Sequence, residues 1–298
     1  MPSSPHASNI TIPGLLVGGL VSLLGRYDVI FSDVWGVVHN GISPHPQAGE
    51  ALSRFREAGG AVIMISNAPR PHWSVKEQLD TIGVVSTAYD AIVTSGDVTH
   101  ALATAQPDRH CFHIGAVRDE PLFRNLAVER VSLEKASFVI CTGLVDDDTE
   151  TVDDYRDILS RIRKQDLTMI CANPDLVVER GEKLIPCAGA VAALYEEMGG
   201  KVIQAGKPHR PIYEATLAKA ATILGQQPDK SRILAIGDAI RTDVIGAASF
   251  GLDSLFLTAG IHTGELHDAN GEINHALLAA FLAMQTAKPT MTTRKLAW

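Results

Sequence analysis

Four short runs in this 298-residue chain each lead to a polar group that could serve one reaction. Val29-Ile30-Phe31 leads to Asp33, and Ala61–Ile65 leads to Ser66-Asn67. Val202-Ile203-Gln204 leads to Lys207, and Ile233–Ile236 leads to Asp238, with Asp243 about one helical turn further on. Open parallel sheets bind ligands outside the carboxyl ends of their strands. If these runs are strands of such a sheet, groups far apart in sequence converge at one edge. Three carboxylates meeting there repel one another. A hard divalent cation such as Mg²⁺ resolves that repulsion and still accepts waters and phosphate oxygens. Lys207 offers a point charge to balance a nucleophile and a phosphate. Ser66 and the backbone at Asn67 offer hydrogen bonds to a phosphoryl group. Asp33 is then a candidate nucleophile, because an aspartyl-phosphate splits one hard displacement into two. What remains is positioning and charge stabilisation. Taken alone, Asp33 has a plainer reading as a strand-end acid that caps the next turn.

The elements that must position these groups follow from hydrophobic periodicity. Leu52 and Phe55 share one face of a helix over 47–58, closed by Gly59-Gly60. Further helices are expected over 73–81, 97–105, 149–164, 188–198, 211–224, 243–250 and 273–284. Short apolar strands fall at 91–93, 111–114, 138–141, 169–171 and 254–257. Strand and helix alternate, which argues for an α/β protein with a parallel sheet covered on both faces. The rhythm changes after about Ser95 and resumes after about Gly200. Residues 1–94 and 201–298 therefore read as one core, interrupted by a smaller α/β unit at 95–200. The stretch 12–24 reads as a short amphipathic helix ending near Gly25. The tail from Thr286 is polar, with Lys288, Arg294 and Lys295, and reads as loosely tied down.

Composition excludes several classes of function. The net charge is -8, and no long basic run marks a nucleic-acid surface. No Lys or Arg precedes Arg26, so 12–24 lacks the basic flank of a signal peptide, and it is too short and glycine-rich for a membrane span. A cytoplasmic protein with no membrane partner is expected. The four cysteines, Cys111, Cys141, Cys171 and Cys187, lie in or beside apolar segments without the close spacing of a zinc site. His72, His100, His110 and His113 likewise share no metal spacing. Asp146-Asp147-Asp148 precedes a helix and reads as charge favoured by the helix dipole.

The ordered set resembles a known family. Asp33-Val34-Trp35-Gly36-Val37, Ser66-Asn67, Gly206-Lys207-Pro208 and Gly237-Asp238 through Thr242-Asp243 resemble, in order, the four motifs of the haloacid dehalogenase (HAD) superfamily, and Gly246-Ala247 fits the usual continuation. The large insertion between the second and third motifs resembles class IIA, whose cap lies there. That class includes 4-nitrophenyl-, pyridoxal- and phosphoglycolate-phosphatase-like proteins. Gly143–Tyr155, Asn173-Pro174-Asp175 and Pro186–Ala190 are similar to that class too. The resemblance implies a Rossmann-like parallel-sheet core with an inserted α/β cap domain, and hydrolysis of a phosphate monoester. It implies Asp33 as nucleophile, and Mg²⁺ held by Asp33, the backbone carbonyl of Trp35 and Asp238, with Asp243 contributing directly or through water. Ser66, Asn67 and Lys207 would hold the phosphoryl group. Arg180 and Lys183, in a polar cap loop over 173–183, would meet the substrate, a small phosphorylated metabolite such as a sugar, nucleotide or cofactor phosphate. Capped relatives also imply a homo-oligomer.

One position departs from the pattern. Phosphatases of this superfamily usually carry a second Asp two residues after the nucleophile, which protonates the leaving group and then activates water. Trp35 stands there, and an indole cannot replace a general acid–base contribution of about 10²–10⁴-fold. His39, six residues after Asp33, is a candidate substitute, since an unperturbed imidazole titrates near pH ~6.5. A loop histidine with a hydrogen-bonding role is the alternative. Arg70 is a further candidate for a substrate anion, or else a solvated loop residue. Trp35 keeps three other readings open: a slow phosphatase or phosphotransferase, a phosphate-ligand binding or regulatory module, and a dehalogenase. The last conflicts with the metal-type carboxylates Asp238 and Asp243.

Overall fold

The computed structural model describes residues 19–180 and 183–298. Three strands come first, β1 (Val29–Ser32), β2 (Ala61–Ser66) and β3 (Ala91–Thr94). Six follow, β4 (His110–Ile114), β5 (Glu129–Arg130), β6 (Phe138–Cys141), β7 (Thr168–Cys171), β8 (Val177–Arg180) and β9 (Lys183–Pro186). The last four are β10 (Lys201–Gln204), β11 (Ile233–Gly237), β12 (Asp253–Leu257) and β13 (Met291–Thr293). One sheet has the order β13-β12-β11-β1-β2-β3 and a second has β10-β7-β6-β4-β5. Every pairing within both sheets is parallel, whereas β8 and β9 form an antiparallel hairpin.

The sequence builds the first sheet through continuous apolar runs, as expected where both faces are covered. Side-chain alternation then divides those runs. Ile30, Val62, Met64, Leu234 and Ile236 enter one hydrophobic cluster, where Leu52 and Phe55 of the helix Pro46–Glu57 meet them. Val29, Phe31, Ile63, Ile65 and Ile233 enter a second cluster with Ile212 and Tyr213 of the helix Arg210–Leu224. The second sheet is covered on one face by the helices Arg156–Lys164 and Ala188–Glu197 together, and on the other by Ala103 of the helix Ser95–Thr104 with Leu122 and Leu126.

Five expectations change. The strand at 201–204 pairs with β7, so the second sheet runs to Gln204 rather than stopping at residue 200. The tail is not loose: β13 pairs with β12, and Leu296 is buried in the first cluster. Within 173–183, Val177–Arg180 and Lys183 belong to the paired strands β8 and β9 rather than to a loop. The helix over 149–164 is α-helical only from Arg156, preceded by a 3₁₀ turn that a Thr151–Asp154 capping box opens. The helix over 243–250 begins earlier, as a π-helical turn at Ile240–Val244. Of the expected N-terminal helix, a 3₁₀ turn at Leu20–Leu23 is present, and residues 12–18 lie outside the described residues. No helix among the described residues is long and apolar enough to cross a membrane.

Parallel pairing has the consequence that matters for chemistry. All strands of one sheet deliver their carboxyl ends to one edge. The edges of the two sheets border a shared cleft of about 670 Å³. Asp33, Ser66 and Asp238 line it from the first sheet's side, and Asp119, Thr142 and Lys207, just past β10, from the second.

Candidate active site

Asp33 directly follows β1. Its N–H donates to Ile236 O of β11 and its Oδ1 accepts from Val34 N–H at 2.7 Å, so backbone and side chain are both fixed. Ser66 closes β2, and its Oγ accepts from Ala68 N–H at 3.2 Å. Asp238 follows β11, where Oδ2 accepts from Ile261 N–H at 3.0 Å. Asp243 lies in the π-helical turn, a feature often found at functional sites, and its Oδ2 accepts from Ala239 N–H at 3.1 Å. Gly36 has φ +80°, and a Cβ there would collide with the Asp238 carboxylate. The Asp33–His39 loop therefore reaches the site only because that residue is glycine.

Lys207 joins the acids. Its Nζ lies 2.6 Å from Asp33 Oδ1 and 2.7 Å from Asp243 Oδ1, with the side chain 2% exposed. One oxygen each of Asp33, Asp238 and Asp243 falls within 4.8 Å of the others. Three carboxylates around one ammonium leave an excess of negative charge. Burial raises the pKa of Asp33, although Lys207 opposes the rise. Burial, then the charges of Asp33 and Asp243, hold Asp238 well above the ordinary carboxylate range. Burial and the charge of Asp33 push Asp243 up to about 6. Burial works against the charge on Lys207, but Asp243 and Asp33 outweigh it and raise its pKa. The donor set is hard, oxygen-only and over-charged, which fits a divalent cation of the Mg²⁺ type.

Asn67 is the other organising group. Its Oδ1 accepts from Lys207 N–H at 2.7 Å, and its Nδ2 donates to Lys207 O at 3.0 Å. The same Nδ2 donates to Asp175 Oδ1 at 2.9 Å, linking the strand ends of the two sheets.

Asp33, Ser66, Asn67, Lys207, Asp238 and Asp243 thus gather, but Lys207 comes from the end of β10 in the second sheet and not from a strand of the first. Trp35 also lines the cleft, with its ring edge-on to His39 at a centroid distance of 5.1 Å. His39 is buried in the cleft wall. Its Nδ1 accepts from Gly41 N–H at 2.8 Å, and burial lowers its pKa to about 4, so the ring is neutral near pH 7. Lys183 stands apart: it is exposed at the start of β9, and Val177, Val178, Ile185 and Pro186 face the cleft instead. The backbone of Arg180 is in β8, but its side chain lies outside the described residues. Arg70 lines the cleft and donates to Gln78 Oε1 at 2.6 Å; burial lowers its pKa.

The second sheet adds residues to which the sequence alone assigns no role at the site. Asp119 lies beyond β4, Thr142 follows β6 and Asp175 lies beyond β7. Asp147 turns into the cleft wall and pairs with Arg118, so the acidic run does more than charge a helix terminus. The available signal was the one used for the first sheet, polar residues just past apolar strands.

Comparison with known proteins agrees with this fold. The profile of the family described as haloacid dehalogenase-like hydrolase matches residues 30–129, and that of a HAD-hydrolase-like family matches residues 204–282. A crystal structure of a haloacid dehalogenase-like hydrolase from Brucella suis 1330 is 47% identical, with a TM-score of 0.83 over 96% of this chain and 100% of that one. D-glycerol 3-phosphate phosphatase of Mycobacterium tuberculosis is 28% identical over 81% of this chain, and the match spans 66% of that protein's length. A magnesium complex of glycerol phosphate phosphatase from Mycobacterium tuberculosis shares the fold at 24% identity and a TM-score of 0.67, over 90% of this chain and 76% of that one.

Proposed function

The chain belongs to the haloacid dehalogenase-like family of hydrolases, and we propose that it is a Mg²⁺-dependent phosphatase acting on a small phosphate monoester through an aspartyl-phosphate on Asp33. One observation carries this reading: Lys207 Nζ touches Asp33 and Asp243 beside a third carboxylate, Asp238, in the buried wall of a shared cleft. Asp33 is positioned to attack phosphorus because Val34 N–H fixes one of its oxygens. Ser66 Oγ, Asn67 and Lys207 would hold the phosphoryl oxygens. Mg²⁺, held by Asp33, Asp238 and Asp243 with the Trp35 carbonyl, would offset the carboxylate charge and polarise the phosphoryl group.

The unit centred on 95–200, carried on to Gln204 by β10, would act as a cap that closes over the substrate and limits water. Polar groups from both sheets suit a leaving group with hydroxyls, and the likeness to a D-glycerol 3-phosphate phosphatase favours polyol or sugar phosphates first. A second reading is supported by Trp35. Without the usual acid–base Asp, turnover would be slow, and the chain would serve as a weak phosphotransferase or a phosphate-ligand binding protein.

The test is phosphate release with Mg²⁺ from a panel of polyol, sugar, nucleotide, cofactor and aryl phosphates, run beside Asp33→Asn. Release that falls to background in the variant supports the phosphatase. Tight ester binding without release favours the binding protein, and metal-independent halide release from haloacids would displace both.

A further inference from the structure

Trp35 leaves the site without a proton donor at the usual place, and among the described residues the cleft contains one carboxyl group free to take that role. Among the described residues, five carboxylates line the cleft. Asp33 is held by Lys207, and Asp238 belongs to the three-carboxylate cluster. Asp147 pairs with Arg118, and Asp119 faces Thr142, Arg118 and Arg70, all of which favour its ionised form. The Asp175 carboxyl accepts one hydrogen bond among the described residues, from Asn67 Nδ2 at 2.9 Å, which leaves its second oxygen available.

We propose that Asp175, brought by the second sheet onto Asn67 at the rim of the phosphoryl site, is the proton donor to the leaving group. This rests on Asp33 being the phosphoryl acceptor.

The placement follows from in-line displacement, in which the leaving oxygen faces away from the attacking one. With phosphorus between Asp33 and the cleft, the leaving oxygen points toward the second sheet's edge. Asp175 lies on the loop after β7, at that edge. Asn67 is itself pinned on both sides by the Lys207 backbone, so the carboxyl position is set relative to the nucleophile. The seat is shaped for this loop: a Cβ on Gly206 would collide with Asn67 Oδ1 and with Pro174.

The surroundings suit a protonated acid. Burial raises the pKa of Asp175. Lys207 and Arg241 oppose that rise, and Asp243 adds to it. Asp33 and the Cys171 and Cys187 thiols are also within electrostatic reach. His39 is the weaker donor, because Gly41 N–H occupies Nδ1 and burial keeps the ring unprotonated.

In the first step the bond from Asp33 Oδ to phosphorus forms as the bond to the leaving oxygen breaks. The freed electron pair stays on that oxygen, which takes the Asp175 proton and departs as an alcohol. In the second step the Asp175 carboxylate takes a proton from water as water oxygen bonds to phosphorus. The Asp33–phosphorus bond breaks, inorganic phosphate leaves, and both carboxyl groups return to their starting forms. Because Asp175 comes from the second sheet, proton donation requires the two halves of the cleft to be together.

The test compares glycerol phosphate, whose alkoxide needs a proton to leave, with 4-nitrophenyl phosphate, which departs as a stable phenolate. With Mg²⁺, Asp175→Asn is expected to lower kcat on glycerol phosphate by about 10²–10⁴-fold and on the aryl ester by less than about tenfold. The fall in wild-type kcat on glycerol phosphate at high pH, where a general acid loses its proton, should disappear in Asp175→Asn. Asp175→Glu keeps a carboxyl and should recover part of the alkyl-ester turnover; it also serves as the readout if the Asn variant does not fold. Equal losses on both esters would make Asp175 a positioning residue for Asn67 and overturn the proposal. The leaving-group difference appearing in His39→Asn instead would overturn it too. A wild type that releases phosphate from neither ester would remove the phosphatase reading, and this inference with it.

Discussion

Lys207 Nζ lies 2.7 Å from Asp243 Oδ1 and 2.6 Å from Asp33 Oδ1, so one buried ammonium spans the first and last of the site's carboxylates in the sequence. Removing a partner from a buried ion pair leaves an uncompensated charge and costs about 3–5 kcal/mol. Lys207→Met should lose that stability at pH 8 in metal-free buffer, measured by urea unfolding. The loss should shrink at pH 5, where Asp243, pushed up to about 6, takes a proton. A loss of the same size at both pH values would show that the carboxylates do not depend on Lys207.

Metal removal should have a pH signature of fixed sign. The folded pKa of Asp243 is raised from 3.8 to about 6, so between those values the folded protein holds a proton that the unfolded chain has released. Stability of the metal-free protein from this group therefore falls as pH rises through that window. A bound cation requires the ionised form, so Mg²⁺ affinity should run the other way and weaken by about tenfold per pH unit below 6 for each proton displaced. Thermal melts with Mg²⁺ and with EDTA should differ little at pH 5 and clearly at pH 7.5. A Mg²⁺ effect independent of pH would argue against these carboxylates as its ligands.

The carboxyl-terminal strand predicts a penalty for truncation. Met291 and Leu296 are both buried in the first sheet's cluster, and burying such a side chain is worth about 1.5–3 kcal/mol. Deleting residues 287–298 should therefore cost about 3–6 kcal/mol from those two side chains alone, read as a lower urea midpoint. A truncated chain as stable as the full one would return the tail to the loose segment its polarity suggests.

What the sequence disclosed has a physical pattern. β1, β2, β6, β7 and β11 are continuous apolar runs, and such runs carry their own evidence of burial. Asp33 and Asp238 were legible because they stand just past those runs. β13 was not, since Met-Thr-Thr carries no strand pattern and owes its conformation to β12. β10 was seen as a strand but placed with the wrong sheet, because Lys-Val-Ile-Gln does not reveal which neighbour it will pair with. Asp147 was read as a helix-terminal charge because its partner, Arg118, is remote in sequence. Asp175 was visible only as part of a motif. Its bond to Asn67 crosses 108 positions, and no local pattern encodes that.

The first sheet also has a history built into its strand order. β1 lies between β2 and β11, and β11 is synthesised only after the whole of the second sheet. A chain emerging from a ribosome thus carries β1 with one edge unpaired until β11 arrives, and Asp33 without Lys207 until the last strand of the second sheet, β10, has been made. The middle segment can pair all five strands of its own sheet during that interval. The reactive carboxylate meets its counter-charge late in synthesis, so a chain that stops early has the nucleophile but not the ammonium that holds it.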